Sequence, residues 1–175
     1  MNIREESQLD YDQIDKVHDA AFNSQFESKL VRQLRQNEDF ECRLSIIAEN
    51  TNEQNQIVGH ILFFPIRVSS NKKIIKSLAL APLGVLPSFQ KKGIGSKLIL
   101  EGLKAAKCLG YQSVFVLGHY EYYTRFGFKP TLEAWNIKSP FECPPENFMA
   151  LELPAHFNCL KDTESVKIIY PDEFL

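Results

Sequence analysis

The residues best placed for chemistry form a glycine-bearing loop, Gln90-Lys91-Lys92-Gly93-Ile94-Gly95-Ser96, between a strand-like run and a helical run. The first turn of a helix has backbone N–H groups without internal acceptors, and it carries the positive end of the helix dipole. Two glycines let the chain curl around an anion and keep side chains out of its way. Two lysines add positive charge beside them. The loop predicts a phosphate or pyrophosphate site; a glycine turn capped by solvent is the structural alternative.

The residues after this loop exclude two familiar phosphate-binding loops. A dinucleotide fingerprint requires a third glycine or another small residue where this chain has Leu98. A P-loop requires lysine before serine or threonine, whereas here Ser96 precedes Lys97. Both motifs therefore fail.

The spacing of apolar residues predicts the elements that must position the loop. Helices are expected over 11–22, 26–36, 93–109 and, briefly, 121–126. Strands are expected over 2–5, 43–49, 57–68, 73–85, 112–117, 148–153 and 165–170. A polar loop at 50–55 and a turn at 69–71 suggest hairpins. The long helix 93–109 joins two strands as a crossover, which predicts that strands 73–85 and 112–117 are parallel.

Pro82 lies within the predicted strand 73–85. Because proline cannot donate a hydrogen bond to a neighbouring strand, this strand must lie at an edge there, or bulge and separate from its neighbour. Gly84 allows another group to approach the backbone closely. The order of elements predicts an α+β (mixed α/β) fold in one domain over 1–175.

The composition narrows the class of protein. The chain has 175 residues, 44% of them hydrophobic and 24% charged, as in an ordinary globular domain. It has no apolar run near the roughly 20 residues of a membrane helix and no secretory signal at its start. A formal net charge of −2 disfavours a dedicated nucleic-acid binder. The four scattered cysteines indicate free thiols rather than disulfides or a metal site, so we expect a cytoplasmic protein.

Two motifs in the second half of the chain resemble the GNAT superfamily of acyl-CoA-dependent N-acyltransferases. The stretch 83–95, LGVLPSFQKKGIG, resembles its strand and pyrophosphate loop, with the pattern Gln/Arg-x-x-Gly-x-Gly/Ala. The stretch 123–128, YTRFGF, resembles its motif Tyr-x-x-x-Gly-Phe at the expected spacing. More narrowly, VLGH at 116–119 and NFMALEL at 147–153 resemble the YhbS-like subgroup of predicted acetyltransferases.

The resemblance implies a fold, a co-substrate and site residues. The fold would be a central mixed, mostly antiparallel sheet with a parallel, splayed strand pair and flanking helices. The co-substrate would be acetyl-CoA, without a metal, and the backbone of Leu83 and Val85 would pair with its pantetheine like an added strand. Tyr123 would protonate the departing CoA thiolate. The residues implied to hold the pyrophosphate are Gln90, Lys91, Lys92, Gly93, Ile94, Gly95 and Ser96.

The chemistry of amine attack on a thioester requires three groups. A backbone N–H at Val85, without a strand partner, would stabilise the oxyanion. A neutral tyrosine hydroxyl is a suitable acid, although Tyr123 could instead be one packing aromatic among several. A base or a proton-conducting water chain is useful because the amine is almost entirely cationic at neutral pH, and His119, at the end of strand 112–117, is the base we select. The alternatives left open for the base are His60, Glu49 and Glu121; Arg125 would bind an acidic group or pair with a local carboxylate.

The predicted function is transfer of an acetyl group from acetyl-CoA to a primary amine of a small molecule or protein, by direct attack in a ternary complex. Val116 stands where the family often has an asparagine that contacts pantetheine, and Tyr120 and Thr124 replace prolines common in the subgroup. The alternative is therefore a non-catalytic acyl-CoA-binding regulatory module. An RNA-associated protein is disfavoured by the net charge. The sequence leaves open a homodimer paired through its C-terminal strands.

Overall fold

The computed structural model describes residues 1–52, 55–70, 73–161 and 165–175. Parts of the predicted loop 50–55 and turn 69–71, at 53, 54 and 71, lie outside the described residues. The chain forms two compact units, one made of Met1–Phe64 and Ala81–Ala106 and the other of Pro65–Leu80 and Lys107–Leu175.

The first unit contains the two N-terminal helices and the start of the sheet. Its elements are β1 (Asn2–Glu5), α1 (Tyr11–Phe22), α2 (Phe26–Leu34), β2 (Ser45–Asn50), the first part of β3 (Gln56–Ser70), the end of β4 (Lys73–Val85) and most of α3 (Ile94–Cys108). Strands β1 and β2 are antiparallel, as are β2 and β3. Ile14 and Val17 of α1 are buried against Ile47 and Ile57, so the apolar stripe of α1 covers these strands.

The second unit contains the remaining strands and the C-terminal segment. Beyond its parts of β3 and β4, its elements are β5 (Ser113–Leu117), α4 (Tyr120–Tyr123) with a 3-10 turn over Thr124–Phe126, β6 (Lys129–Pro130), α5 (Thr131–Trp135), β7 (Phe148–Glu152) and β8 (Lys167–Ile169). Its core joins buried residues of β3, β4, β5 and β7 to Leu160 and Tyr170 of the tail.

The sheet has the strand order β1-β2-β3-β4-β5-β7-β6, and β8 pairs with β3. Strands β4 and β5 are parallel, whereas β5 and β7, β6 and β7, and β3 and β8 are antiparallel. This confirms the predicted α+β class with a mixed, mostly antiparallel sheet, one parallel pair and flanking helices. The predictions omitted β6 and α5, and several predicted elements differ from the observed ones by one to three residues at an end.

The ladder between β4 and β5 holds three pairs, Ser77 with Ser113, Leu78 with Val114 and Ala79 with Phe115. It ends before Pro82, the residue that cannot donate to a ladder. In the part of the chain that the structure describes, no helix has the length and apolar character needed to cross a membrane.

Candidate active site

The loop before α3 presents a row of backbone N–H groups. Lys91 and Gly93 have positive φ angles of 60° and 80°, and a Cβ added at Gly93 would meet nothing within 4 Å. The N–H of Lys97 donates to the carbonyl of Gly93 at 3.1 Å. Among the described residues, the N–H groups of residues 91–96 have no backbone acceptor. The loop and the first turn of α3 thus leave a run of N–H groups free to bind an anion, as helix N-termini commonly do.

Two side chains tie this loop to neighbouring backbone within the first unit. The Gln90 side-chain amide donates to the carbonyl of Val85 at 3.0 Å. The Lys92 ammonium donates to the carbonyl of Ser88 at 2.9 Å and lies 5.0 Å from the centre of the Phe89 ring. Lys91, like Lys92, is exposed and adds positive charge at the loop. The loop is therefore anchored to the end of β4.

The end of β4 places Val85 beside this loop, through the hydrogen bond from Gln90. The N–H of Leu86 donates to the carbonyl of Val58 on β3 at 2.9 Å. Because successive backbone groups of a strand point to opposite edges, the N–H of Val85 points away from β3. Leu83 and Val85 are half-buried, so the strand end has a backbone edge suited to pairing with an extended ligand.

Tyr123, in the second unit, is buried at the end of α4. Its ring lies edge-on to Phe128, with ring centres 5.8 Å apart. A Cβ at Gly118 would lie 2.4 Å from Cε2 of this ring, so the absence of a side chain at 118 lets the ring lie there. Burial, with a smaller effect of Tyr122, raises the pKa of the Tyr123 hydroxyl. The hydroxyl therefore stays protonated at neutral pH and can donate.

His119 precedes Tyr123 as the N-cap residue of α4, and its side chain is exposed and makes no capping hydrogen bond. Its carbonyl accepts from the N–H groups of Tyr122 and Tyr123, at 3.1 and 3.2 Å. The backbone carbonyl of His119 therefore stabilises the first turn of α4. Arg125 lies over the rings of Tyr122 and Phe126, at 5.4 and 5.8 Å, rather than beside a carboxylate of the described residues.

A family model described as the acetyltransferase (GNAT) family matches residues 11–128. The chain belongs to the GNAT family. Among curated relatives, the N-acetyltransferase YjhQ of Escherichia coli K12 is 35% identical over 138 residues, which cover 79% of this chain and 75% of YjhQ. The N-acetyltransferase YhbS of the same strain is 34% identical over 129 residues, covering 74% of each chain. The chain is thus a GNAT acetyltransferase.

Two solved GNAT structures match nearly the whole chain. The YhbS structure from Escherichia coli, a complex with CoA, has a TM-score of 0.85 and 25% identity and covers 99% of this chain and 91% of that one. A GNAT acetyltransferase of Brucella melitensis in complex with acetyl-CoA has a TM-score of 0.74 and 30% identity, with 99% and 97% covered. These matches confirm the predicted GNAT fold.

The first unit of this GNAT chain contains a buried polar network that is not predicted from the sequence. His18 Nε2 and His60 Nδ1 are 2.7 Å apart, and His60 Nε2 lies 2.8 Å from Ser45 Oγ and 3.4 Å from Glu6 Oε2. Arg35 donates to both Glu6 oxygens, at 2.9 and 2.7 Å. His60 is one of the alternatives for the base given in the sequence analysis, whereas His18 stands at helical spacing among the apolar residues of α1, beside Ile14 and Val17. A histidine in an otherwise apolar stripe was the available signal.

Burial determines the charge states in this network. It lowers the pKa of His18 well below its usual value, with further lowering by His60 and Arg35. It also lowers the pKa of His60, against the opposing effect of Glu6. Burial disfavours ionised Glu6 as well, but hydrogen bonds from His60 and Arg35 outweigh it and lower that pKa to about 2. At neutral pH the network therefore contains two neutral imidazoles and an ion pair.

Proposed function

We propose that this chain, as one GNAT domain over 1–175, transfers an acetyl group from acetyl-CoA to a primary amine of a small molecule or protein. The reaction is direct attack in a ternary complex. The observation that carries the proposal is the row of N–H groups over 91–96, for which the described part of the chain provides no backbone acceptor, with the positive charge of Lys91 in the same loop. Such a row fits the pyrophosphate of a CoA thioester, and two similar structures are complexes with CoA and acetyl-CoA.

The chain's own groups would divide the binding of acetyl-CoA between the loop and the strand. Backbone N–H groups from Lys91 to Ser96 hold the pyrophosphate, and Lys91 and Lys92 supply positive charge near it. The expected contribution of the Gln90 N–H is corrected, because this group already donates to the carbonyl of Pro87 at 3.3 Å. The backbone of Leu83 and Val85 pairs with the acyl-CoA in the way that an added strand extends a sheet, Leu83 with a pantetheine amide and Val85 with the adjoining thioester carbonyl. Because the carbonyl of Val85 is already bonded by Gln90, the N–H is the group of Val85 that remains for the ligand.

The acetyl transfer needs a donor to the developing oxyanion, an acid for the sulfur and a base for the amine. The N–H of Val85, which points away from β3, is proposed as the oxyanion donor. Tyr123, protonated because of its raised pKa, is proposed as the acid that gives a proton to the CoA sulfur. His119, exposed beside α4, is one candidate for the base.

Calorimetry with a matched pair of glycine variants tests the binding role of the loop. Gly93 and Gly110 have φ angles of 80° and 75°, and neither has a neighbour within 4 Å of an added Cβ. Gly93→Ala and Gly110→Ala therefore impose the same backbone strain. We expect Gly93→Ala to weaken acetyl-CoA binding at least about tenfold, a change of about 1.4 kcal/mol, and Gly110→Ala to leave it unchanged. Equal effects of the two variants would contradict the loop assignment.

Turnover is tested by thiol release with acetyl-CoA and a panel of primary amines and lysine peptides, with mass spectrometry of the products. We expect thiol release that depends on an amine and a product heavier by one acetyl group. Binding of acetyl-CoA without thiol release for any amine would instead support a regulatory acyl-CoA-binding module. The observation that favours this second candidate is Val116, buried in β5 where the family often has a pantetheine-binding asparagine.

A further inference from the structure

The His18 imidazole has one ring nitrogen without a partner. The side chain is fully buried, and its Nδ1 has no hydrogen-bond partner among the described residues. Leaving a buried polar atom unsatisfied costs about 1–3 kcal/mol, so such an atom in a native fold requires an explanation. The neighbour of this nitrogen indicates what the explanation is: a Cβ added at Gly84 would lie 2.7 Å from Nδ1. The unpartnered nitrogen therefore faces the backbone of β4 at Gly84.

Gly84 lies between the two residues whose backbone is proposed to bind the acyl-CoA, Leu83 and Val85. Because alternate side chains of a strand point to opposite faces, the missing side chain of Gly84 leaves space on the face opposite Leu83 and Val85. His18 occupies that space. The imidazole thus lies directly against the backbone segment proposed to hold the reacting thioester, and no side chain separates the two.

The rest of the network determines which protons the two imidazoles carry. Glu6 is ionised, since Arg35 bonds both of its oxygens, and an ionised carboxylate only accepts hydrogen bonds. Glu6 Oε2 is 3.4 Å from His60 Nε2, so the favoured neutral tautomer of His60 carries its proton on Nε2. Nδ1 of His60 is then an acceptor, and the 2.7 Å contact requires a proton on His18 Nε2. The remaining nitrogen, His18 Nδ1, presents a lone pair.

We propose that His18 is the base of the acetyl transfer: its Nδ1 takes a proton from the acceptor ammonium, directly or through one water, and His60 and Glu6 hold it in the tautomer that can do so. This proposal rests on the proposed function. The ammonium loses one proton to Nδ1, and the neutral amine forms the N–C bond as the C–S bond breaks. The second proton leaves nitrogen as the amide forms and reaches the sulfur through Tyr123. His18 later releases its proton to solvent.

Access to His18 depends on Phe22, the last residue of α1. Its ring stacks on the imidazole, with centres 6.0 Å apart and planes at 25°. Phe22 is 41% exposed whereas His18 is 0% exposed, so the proposal requires this exposed ring to move when the acceptor enters. The charged groups that act on His18 and His60 are Glu6, Arg35 and Asp15. The first two are paired with each other, and Asp15 with Arg32.

The test compares acceptors that differ in whether they must lose a proton before attack. An alkylamine, with a pKa of about 10, is almost fully cationic at pH 7, whereas a hydrazide is neutral. For His18→Gln we expect kcat/KM with the alkylamine at pH 7 to fall about 10²-fold or more, and with the hydrazide by less than about threefold. The loss with the alkylamine should shrink as the pH rises toward the pKa of the amine. Calorimetric affinity for acetyl-CoA should be unchanged.

Two histidine variants serve as comparators, and all variants are checked by thermal unfolding. His156→Gln makes the same chemical change in the second unit, outside the proposed site, and should leave kcat/KM unchanged with both acceptors. His119→Gln tests the rival base. An alkylamine-selective, pH-dependent loss in His119→Gln but not in His18→Gln overturns the proposal, as does an equal loss in His18→Gln with both acceptors at every pH. Wild-type protein that acetylates no amine would instead refute the proposed function.

Discussion

The imidazole of His18 lies so close to Gly84 that a side chain at residue 84 would clash with it. A Cβ on Gly84 would be 2.7 Å from Nδ1 and 3.0 Å from Cε1 of this ring. Real Cβ atoms essentially never approach another atom so closely. The imidazole cannot retreat easily, because its Nε2 is bonded to His60 and it is fully buried. Helix α1 and strand β4 therefore contact each other through the His18 imidazole of α1 and the Gly84 backbone of β4.

This contact predicts the effect of Gly84→Ala. Inserting a methyl group into packed space costs about 1–3 kcal/mol, so we expect the free energy of unfolding, measured by urea denaturation, to fall by that amount. In a His18→Ala background the added methyl group has room, and the cost should be smaller. A double-mutant cycle should give a coupling energy of about 0.5–3 kcal/mol between the two sites. Strict additivity would show that His18 is not the group displaced.

The pKa of Glu6 predicts a pH dependence of stability. The folded-state pKa of about 2 lies below the usual 4.5, so the folded state favours the ionised form. The resulting stabilisation is fully present above about pH 4.5 and is lost as the pH falls toward 2. A shift of this size corresponds to at most about 3 kcal/mol. We expect unfolding free energies measured between pH 5 and 2.5 to fall less steeply for Glu6→Gln than for wild type.

Glu41 provides the matched control for this pH dependence. Its pKa is also lowered, chiefly by a hydrogen bond from Arg43, but the Arg43 partner is largely exposed, so solvent screens this pair and weakens the effect. Because exposed ion pairs contribute about 0–1 kcal/mol, Glu41→Gln should change the unfolding free energy at pH 7 only slightly. A change in pH slope as large for Glu41→Gln as for Glu6→Gln would contradict the importance we assign to burial.

The local structure of the candidate site could be predicted from the sequence where its residues lie close together, whereas the roles given to those residues stay predictions. The loop 90–96 and the stretch 118–128 each combine glycines with the residues they position, so local pattern suffices. Helix α1 was predicted at its observed bounds for the same reason: its apolar stripe is regular over 11–22. Strand β6 has two residues and α5 five, and neither is long enough to show a period.

The buried network could not be predicted, because its four ionisable side chains come from four separate segments. Glu6 follows β1, Arg35 follows α2, His18 lies in α1 and His60 in β3. Each fits an ordinary local interpretation: a polar residue after a strand, a helix-ending cation, or a histidine within an apolar pattern. The four side chains meet only because the strand register places His60 opposite Ile47 and because α1 packs on these strands. Such contacts depend on tertiary structure, so they produce no recognisable pattern of residue spacing in the sequence.

Tyr123→Phe tests the acid proposed for the sulfur. Removing the hydroxyl leaves the ring contact with Phe128, so folding and acetyl-CoA affinity should be retained while kcat falls by about 10²-fold. Since the pKa of Tyr123 is raised, wild-type activity should show no alkaline loss from this group up to pH 10. Tyr170→Phe is the control, because Tyr170 is also a buried tyrosine with a raised pKa but lies in the core of the second unit. Comparable kcat losses in both variants would count against Tyr123 as the acid.

Ser45→Ala separates the two groups that contact Nε2 of His60. The serine hydroxyl lies 2.8 Å from that nitrogen, and Glu6 Oε2 lies 3.4 Å away. If the carboxylate fixes the tautomer, Ser45→Ala should reduce the unfolding free energy by about 1 kcal/mol and leave the alkylamine kcat/KM within about threefold of wild type. Glu6→Gln can present its amide as a donor to Nε2 and so favour the opposite tautomer, with the proton on His18 Nδ1. We therefore expect Glu6→Gln to lower kcat/KM selectively for the alkylamine, in side-by-side assays at pH 7. The reverse ranking of the two variants would assign the tautomer to the serine.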